Sequence, residues 1–261
     1  MISEKSDVES DSMDTNRILY EDNDIIVCHK PAGIATQTAR VGQADIVSEI
    51  TNYLAMTAKG TPYVGVVHRL DQPVEGVLVF ARNRQSAADL SRQIQVNRME
   101  KYYYAVVCGR EFKPCGELTD YLIKDGRTNT SRVVSSEVKD AKKSVLDYRV
   151  LEEQICEETA DTALKIALVE IRLHTGRHHQ IRVQMSHAGM SLLGDYKYAD
   201  AETMKISEQM HMKEIALCAY RLSFVHPKTG RKLEFKIEPE GRSFQIHEWK
   251  NYAEGGSHNT V

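Results

Sequence analysis

Apolar positions along this chain switch between the period-2 rhythm of strands and the i, i+3, i+4, i+7 rhythm of helices, and the switches mark out its elements. Ile18-Leu19-Tyr20 and Ile25-Ile26-Val27-Cys28 flank the turn Asp22-Asn23-Asp24, which predicts two short strands running into a stop at Pro31-Ala32-Gly33. Over residues 44–58, Ile46, Val47, Ile50, Tyr53, Leu54 and Ala58 have helical spacing. Val64, Val66 and Val67, then Val77 to Ala81, are two further strand-like runs around a polar turn marked by Pro73 and Gly76. Asn83 is placed to cap a helix over roughly 84–97 that buries Ala87, Leu90 and Ile94.

Lys101 to Val107 predicts a strand with Lys101, Tyr103, Ala105 and Val107 on one face. Residues 116–150 suggest shorter strands broken at Asp125-Gly126, with Arg127–Lys143 as a solvated hairpin or loop. Acids at 152, 153, 157, 158 and 161 suggest a second solvated turn. A long strand, Ala163–Leu173, leads through Thr175-Gly176 to a helix over His178–His187, which Gly189 would stop. Residues 215–224 and 232–237 form a last hairpin around Pro227-Lys228-Thr229-Gly230. Many strands and few helices, without regular alternation, predict an α+β fold: a mixed, largely antiparallel sheet flanked by helices and loops. The expected organisation is a disordered acidic leader over 1–16, one domain over 17–250, and a flexible tail over 251–261.

Composition adjusts this picture in three ways. The chain has 261 residues and 41% hydrophobic content, enough for one large core. No apolar run approaches the ~20 residues of a membrane span, and the N-terminus has the wrong polarity for a signal peptide. The five cysteines form no CxxC pair, so neither a disulfide framework nor a zinc site is expected, and a cytoplasmic setting is. The formal net charge is −3, yet residues 1–24 alone carry eight acids and two bases, so the rest of the chain is mildly basic and leaves room for an anion-binding surface.

Three places could carry chemistry. Asp71 sits on the tight turn between two apolar runs, where a carboxylate is held rigidly yet stays reachable, as a nucleophile or general base requires. The same position suits a turn aspartate that bonds its own backbone. The stretch His174-Thr175-Gly176-Arg177-His178-His179-Gln180-Ile181-Arg182 opens a helix with basic and amide side chains, which fits an anion or RNA site, or a solvated basic helix start. A metal site from His174, His178, His179 and His187 lacks an acidic ligand at helical spacing, so no metal is expected there. Tyr103, central in an aromatic strand, reads as core or as a stacking surface.

Taken together, His68-Arg69-Leu70-Asp71 followed by Gly76, Lys101-x-Tyr103-x-Ala105-x-Val107-x-Gly109, and Gly176-Arg177-x-His179-Gln180-Ile181-Arg182-Val183 resemble the RluA-type pseudouridine synthases, which isomerise uridines in ribosomal and transfer RNA. Asp22 to Gly33, Gly194-Asp195-x-x-Tyr198 and Leu217 to Gly230 fit the same family, so the resemblance covers about residues 18 to 240. It implies the pseudouridine synthase fold and a reaction without cofactor. Asp71 would act on the target nucleoside, at the ribose C1′ or by assisting glycosidic cleavage. Arg182 would pair with Asp71, and Tyr103 would stack on the uracil. His68, Arg69, Arg177, His179 and Gln180 would bind RNA, with Arg69 filling the gap left by a flipped base or gripping a phosphate. The partner would be rRNA or tRNA, the enzyme a monomer away from membranes, without the S4-type module of many relatives. Val74-Glu75 departs from the usual Thr-Ser or Ser-Ser pair, Cys218 from a usual His, and His178 from Thr or Ser. Two other readings are a catalytically degenerate RNA-binding protein on the same fold and an unrelated hydrolase using Asp71 or the histidines.

Overall fold

A computed structural model describes residues 14–38, 40, 42–57, 60–158 and 163–245. After a 3-10 turn at Thr15–Arg17, the chain forms β1 (Ile18–Glu21), β2 (Ile25–Lys30), α1 (Ile46–Ala55), β3 (Gly65–Val66), β4 (Glu75–Ala81), α2 (Arg84–Gln95) and β5 (Glu100–Gly109). It continues through β6 (Cys115–Asp125), β7 (Thr130–Val134), β8 (Lys142–Glu158), β9 (Ala163–Leu173), α3 (Gln180–His187), β10 (Ser191–Leu192), α4 (Ala201–Gln209), β11 (Leu217–Val225), β12 (Lys232–Lys236) and α5 (Arg242–Gln245). One sheet orders the strands β1-β2-β4-β11-β5-β9-β8-β6-β7, with β3, β10 and β12 as side pairings. Its pairs are antiparallel except β11 with β4. This is the mixed, largely antiparallel α+β architecture expected.

Helices cover both faces. On one, Ile46, Ile50 and Leu54 of α1 and Ile181 and Met185 of α3 join Leu78, Phe80, Tyr103, Ala105 and Val107 in the largest core cluster. On the other, Leu90 of α2 packs with Val77, Val79 and Leu222, and Ile206 of α4 with Val106, Cys108 and Leu168. The period-2 split of β5 is therefore real, and β4 is buried at every position because it is sandwiched. Asn83 caps α2 by accepting from the Ser86 N–H at 2.8 Å.

Several expectations need correction. The acids at 152, 153, 157 and 158 lie in β8, which runs unbroken from Lys142 to Glu158. Its ladder with β9 outweighs their polarity, with register shifts between Val150 and Glu152 and between Ile155 and Glu157. Asp161 lies outside the described residues. Of the two forms expected for Arg127–Lys143, hairpin or loop, the hairpin is the one found, built around β7. The helix expected from His178 starts at Gln180, because His179 takes a left-handed conformation with φ 53°. Helix α4 was not expected, since its burial is confined to Thr203, Ile206 and Ser207. Of the leader, residues 1–13 lie outside the described residues, while Asp14 to Asn16 enter the 3-10 turn, with the Asn16 N–H donating to the Asp14 side chain. The tail over 251–261 also lies outside them.

Candidate active site

Asp71 hangs from a loop tied down on every side. Thr36 clamps Leu70, its hydroxyl donating to the Leu70 carbonyl at 2.9 Å and accepting from the Leu70 N–H at 3.1 Å. The Gly33 N–H donates to the Gln72 carbonyl at 2.9 Å, and the Val74 N–H closes a turn onto the Asp71 carbonyl at 3.0 Å. Beneath lies Lys30, fully buried, its ammonium donating to the carbonyls of Pro31, Ile34 and Gln72 at 2.9, 2.7 and 3.1 Å. Burial pulls this lysine down to about 8, against the opposing charge of Asp71. The segment from Lys30 to Thr36 is thus the loop's foundation. Val74 adds a buried side chain to the core below it, where the resemblance expects a hydroxyl.

The Asp71 side chain is 30% exposed and opens into a cleft of about 1070 Å³. Arg182 donates to its Oδ2 from Nη1 at 3.4 Å. The same guanidinium donates from Nε and Nη2 to Asp195 at 2.8 and 2.7 Å, a bidentate pair with a carboxylate only 1% exposed. Burial pushes the Asp71 carboxyl up, and Arg182 and Lys30 pull it back only in part, so its net shift is upward.

His179 completes the surround. The Ser131 N–H donates to the Tyr198 hydroxyl at 2.8 Å, which fixes that oxygen as acceptor there and leaves its proton for His179 Nδ1 at 2.6 Å. Nδ1 is then the acceptor, so the neutral ring carries its proton on Nε2, which faces Asp71 Oδ2 at 3.6 Å. Burial, then the charge of Arg182, holds His179 down to about 3, so it stays neutral. Its left-handed backbone at the start of α3 aims it into the cleft, and such a conformation in a non-glycine residue marks a position the surrounding structure enforces.

Tyr103 lines the cleft wall and is itself 7% exposed. Burial, reinforced by the Asp71 charge, pushes its phenol well up, so it remains protonated. Lys101, two residues back on the same face, also lines the cleft, and burial lowers its ammonium. Among the described residues no carboxylate pairs with it within 4.0 Å.

The residues expected from sequence divide into two groups. Asp71, Tyr103, Arg182 and His179 meet in the cleft, and Arg69 and Arg177 stand exposed on its rim. Arg69 there donates to the Gln37 side chain at 2.8 Å, and Arg177 to the Lys143 carbonyl at 3.2 Å. His68 and Gln180 also line the cleft, but their hydrogen bonds make them braces. Burial holds His68 neutral at about 3, and its Nε2 accepts from the Val79 N–H at 3.1 Å. Gln180 is 3% exposed. Its carbonyl accepts from Thr175 and the Arg177 N–H, and its amide donates to Val145 and Gln184. The sequence reading assigned no role to Lys30, Asp195 or Tyr198, whose only signal was membership of the matched motifs. His178 stacks on His179 with ring centroids 3.7 Å apart and meets Ser131 Oγ at 2.9 Å through Nδ1.

A partly exposed carboxylate on an anchored loop is paired to an arginine in a cleft rimmed by Arg69, Lys124, Arg177 and Lys197, a surround suited to a polyanion. Comparison with known proteins gives the class. The family model for RNA pseudouridylate synthase matches residues 24–187, and the chain belongs to that family. An uncharacterized RNA pseudouridine synthase of Aquifex aeolicus is 29% identical over 94% of this chain and 76% of its own length. Ribosomal large subunit pseudouridine synthase D of Vibrio cholerae is 34% identical over 84% of this chain, which spans 65% of that relative. The human RNA pseudouridylate synthase domain containing 4 shares the fold, with a TM-score of 0.66 at 22% identity over 91% of this chain and 93% of its own. The family acts on RNA, and its activity is that of an isomerase. Among the described residues no helix is long and apolar enough to cross a membrane.

Proposed function

We propose that the chain converts a specific uridine of ribosomal or transfer RNA to pseudouridine, with Asp71 as the group that acts on the nucleoside. The observation that carries this reading is the asymmetric hold on its carboxylate. Arg182 and His179 both address Oδ2, which leaves Oδ1 as the oxygen turned to substrate. The C1′–N1 bond breaks, through attack at C1′ or assisted cleavage, and the freed uracil turns and rejoins through C5. The C5 proton leaves and N1 acquires one, so atoms balance without a cofactor.

Tyr103 stacks on the uracil as a neutral phenol, and Lys101 stands beside it to meet a uracil carbonyl or the nucleotide's phosphate. A uridine in folded RNA reaches this depth only when flipped, and Arg69 at the rim fills its place or holds the backbone. Arg177, with Lys124 and Lys197, supplies phosphate contacts. Lys197 supports the rim further by donating to the Asn129 carbonyl at 3.1 Å. His68 and Gln180, which line the cleft, also brace the loop and the helix start.

The names of the Vibrio relative and of a Buchnera aphidicola synthase C, 31% identical, make ribosomal RNA the first substrate to examine. The unpaired cysteines fit a cytoplasmic enzyme, and a monomer suffices for the cleft described. Primer extension across carbodiimide-treated cellular RNA, with and without the gene, tests the reading. It predicts at least one uridine-specific stop that depends on the gene. Identical stop patterns in both RNAs contradict it.

A further inference from the structure

Glu75 follows the Asp71 loop where the resemblance expects a small hydroxyl residue, and the reaction makes no use of it. It is 4% exposed. Its carboxylate accepts the N–H groups of Glu240 and Gly241 at 3.3 and 3.1 Å, so it holds the chain just before α5 against the start of β4. His29 of β2 faces the same point. Its Nε2 lies 3.9 Å from Glu75 and its Nδ1 3.8 Å from Glu240. The three residues offer one ligand atom each within 4.8 Å of one another.

His29 is 8% exposed, and its buried Nε2, turned toward Glu75, has no hydrogen-bond partner. A buried imidazole nitrogen without a partner is costly unless something fills the gap. The other compact trio, Asp22, Asp24 and His226, differs on this point. There His226 Nε2 pairs with Asp22 at 2.7 Å, and Nδ1 accepts the N–H groups of Lys228 and Thr229 at 3.0 and 3.1 Å. That histidine is satisfied; His29 is not.

We propose that His29, Glu75 and Glu240 form a site for a divalent transition-metal ion, with zinc the best fit. One imidazole nitrogen and two carboxylates match its ligand preferences, and the two negative charges balance the ion. Zinc bonds of about 2.0–2.2 Å set tetrahedral ligand atoms ~3.4 Å apart. Glu75 already faces Nε2, whereas Glu240 lies against Nδ1, so binding needs the Glu240 carboxylate to swing to the Nε2 side. Glu240, with its side chain 73% exposed, is free to supply the movement. Each Glu75 oxygen keeps a second lone pair after accepting its N–H. Cys218, opposite Glu75 in the β11–β4 pairing, hydrogen-bonds to that carboxylate and so helps to orient it.

None of the three ligands lines the cleft, so the ion is structural. It staples the chain around Glu240 to β2 and β4, directly behind the loop that carries Asp71. It takes no part in the isomerisation.

The test uses the full chain and zinc alone. Zinc retained after gel filtration, measured by mass spectrometry, should be one ion per chain, and added zinc should raise Tm. Because the Glu240 side chain is exposed, Glu240→Gln should fold normally yet weaken zinc binding at least tenfold and lose most of the Tm response. Glu75→Gln and His29→Ala should abolish both. The proposal is overturned if the wild type retains no stoichiometric zinc, or if Glu240→Gln and His29→Ala bind it as tightly as the wild type does.

Discussion

Arg182 reaches Asp71 with one guanidinium nitrogen, Nη1 at 3.4 Å, because its other two donors are committed to Asp195. Asp195 is therefore what aims the arginine. Replacing it by Asn keeps the shape but leaves the Arg182 charge short of a buried partner. Losing one member of a buried pair costs about 3–5 kcal/mol, and urea unfolding of Asp195→Asn should read a loss of that order. Arg182→Lys should lose turnover by ~10²-fold or more, since a lysine has no fork to span two carboxylates. An Arg182→Lys enzyme with wild-type turnover would remove the arginine from the mechanism.

Tyr198 links the β7 backbone to the Asp71–His179 cluster through its hydroxyl, between Ser131 and His179. Tyr198→Phe orphans the Ser131 N–H and frees His179 to change tautomer. A stability loss of about 1–3 kcal/mol is expected from the unsatisfied groups. The signature beyond stability is the nitrogen NMR spectrum of His179, which should show the Nε2-protonated form in wild type and a mixture in the variant. A single unchanged tautomer in Tyr198→Phe would show that the hydroxyl does not set it.

Activity should depend on pH through Asp71 and Lys30 but not His179. The Asp71 carboxyl is raised by burial, so the acidic limb of kcat/KM should lie above the ordinary carboxylate value of about 3.9. His179 at about 3 remains neutral throughout and contributes no limb near pH 6 or 7. Above about pH 8 Lys30 loses its proton and one donor to the loop carbonyls, and activity should fall.

The linkage has a sign that stability measurements can read. A carboxyl raised on folding binds more protons in the folded state, so its contribution is full below the unfolded pKa and is lost as pH rises through the folded one. Asp71 therefore burdens the fold at neutral pH, and Asp71→Asn should melt higher than wild type at pH 7. The difference should shrink as pH falls toward 4. A lower melting temperature for Asp71→Asn at pH 7 would contradict this.

Gly76 should tolerate no side chain. Its φ is +148°, and a Cβ there would sit 2.4 Å from Ala219 Cβ and 2.7 Å from the Ala219 backbone. This is where β4 and β11 run parallel, the join that closes the two halves of the sheet. Gly76→Ala should express poorly or lose several degrees of Tm by thermal scan.

Local periodicity made most elements legible, because strands such as Ala163–Leu173 and caps such as Asn83 depend on neighbours in sequence. What failed depended on distant partners. The acids of β8 read as a turn because the ladder that orders them is supplied by β9. Asp71, Tyr103 and Arg182 were visible as residue types in matched motifs, and the structure brings them into one cleft. The second carboxylate on Arg182 was visible only as part of the Gly194-Asp195-x-x-Tyr198 motif, since Asp195 lies 13 residues away and nothing in the sequence pairs it with the arginine. The internal bonds of His68 to Val79 and of Gln180 to Val145 were not legible, since the partners lie far away in sequence, although both side chains also line the cleft.

The most direct measurement of the central claim is single-turnover conversion of a mapped uridine by purified wild-type and Asp71→Asn protein, read by carbodiimide-dependent primer extension. The account predicts a uridine-specific stop that grows with time for wild type, and none for Asp71→Asn even though that variant is folded and still binds the RNA. A stop of equal strength from the Asp71→Asn protein would contradict it.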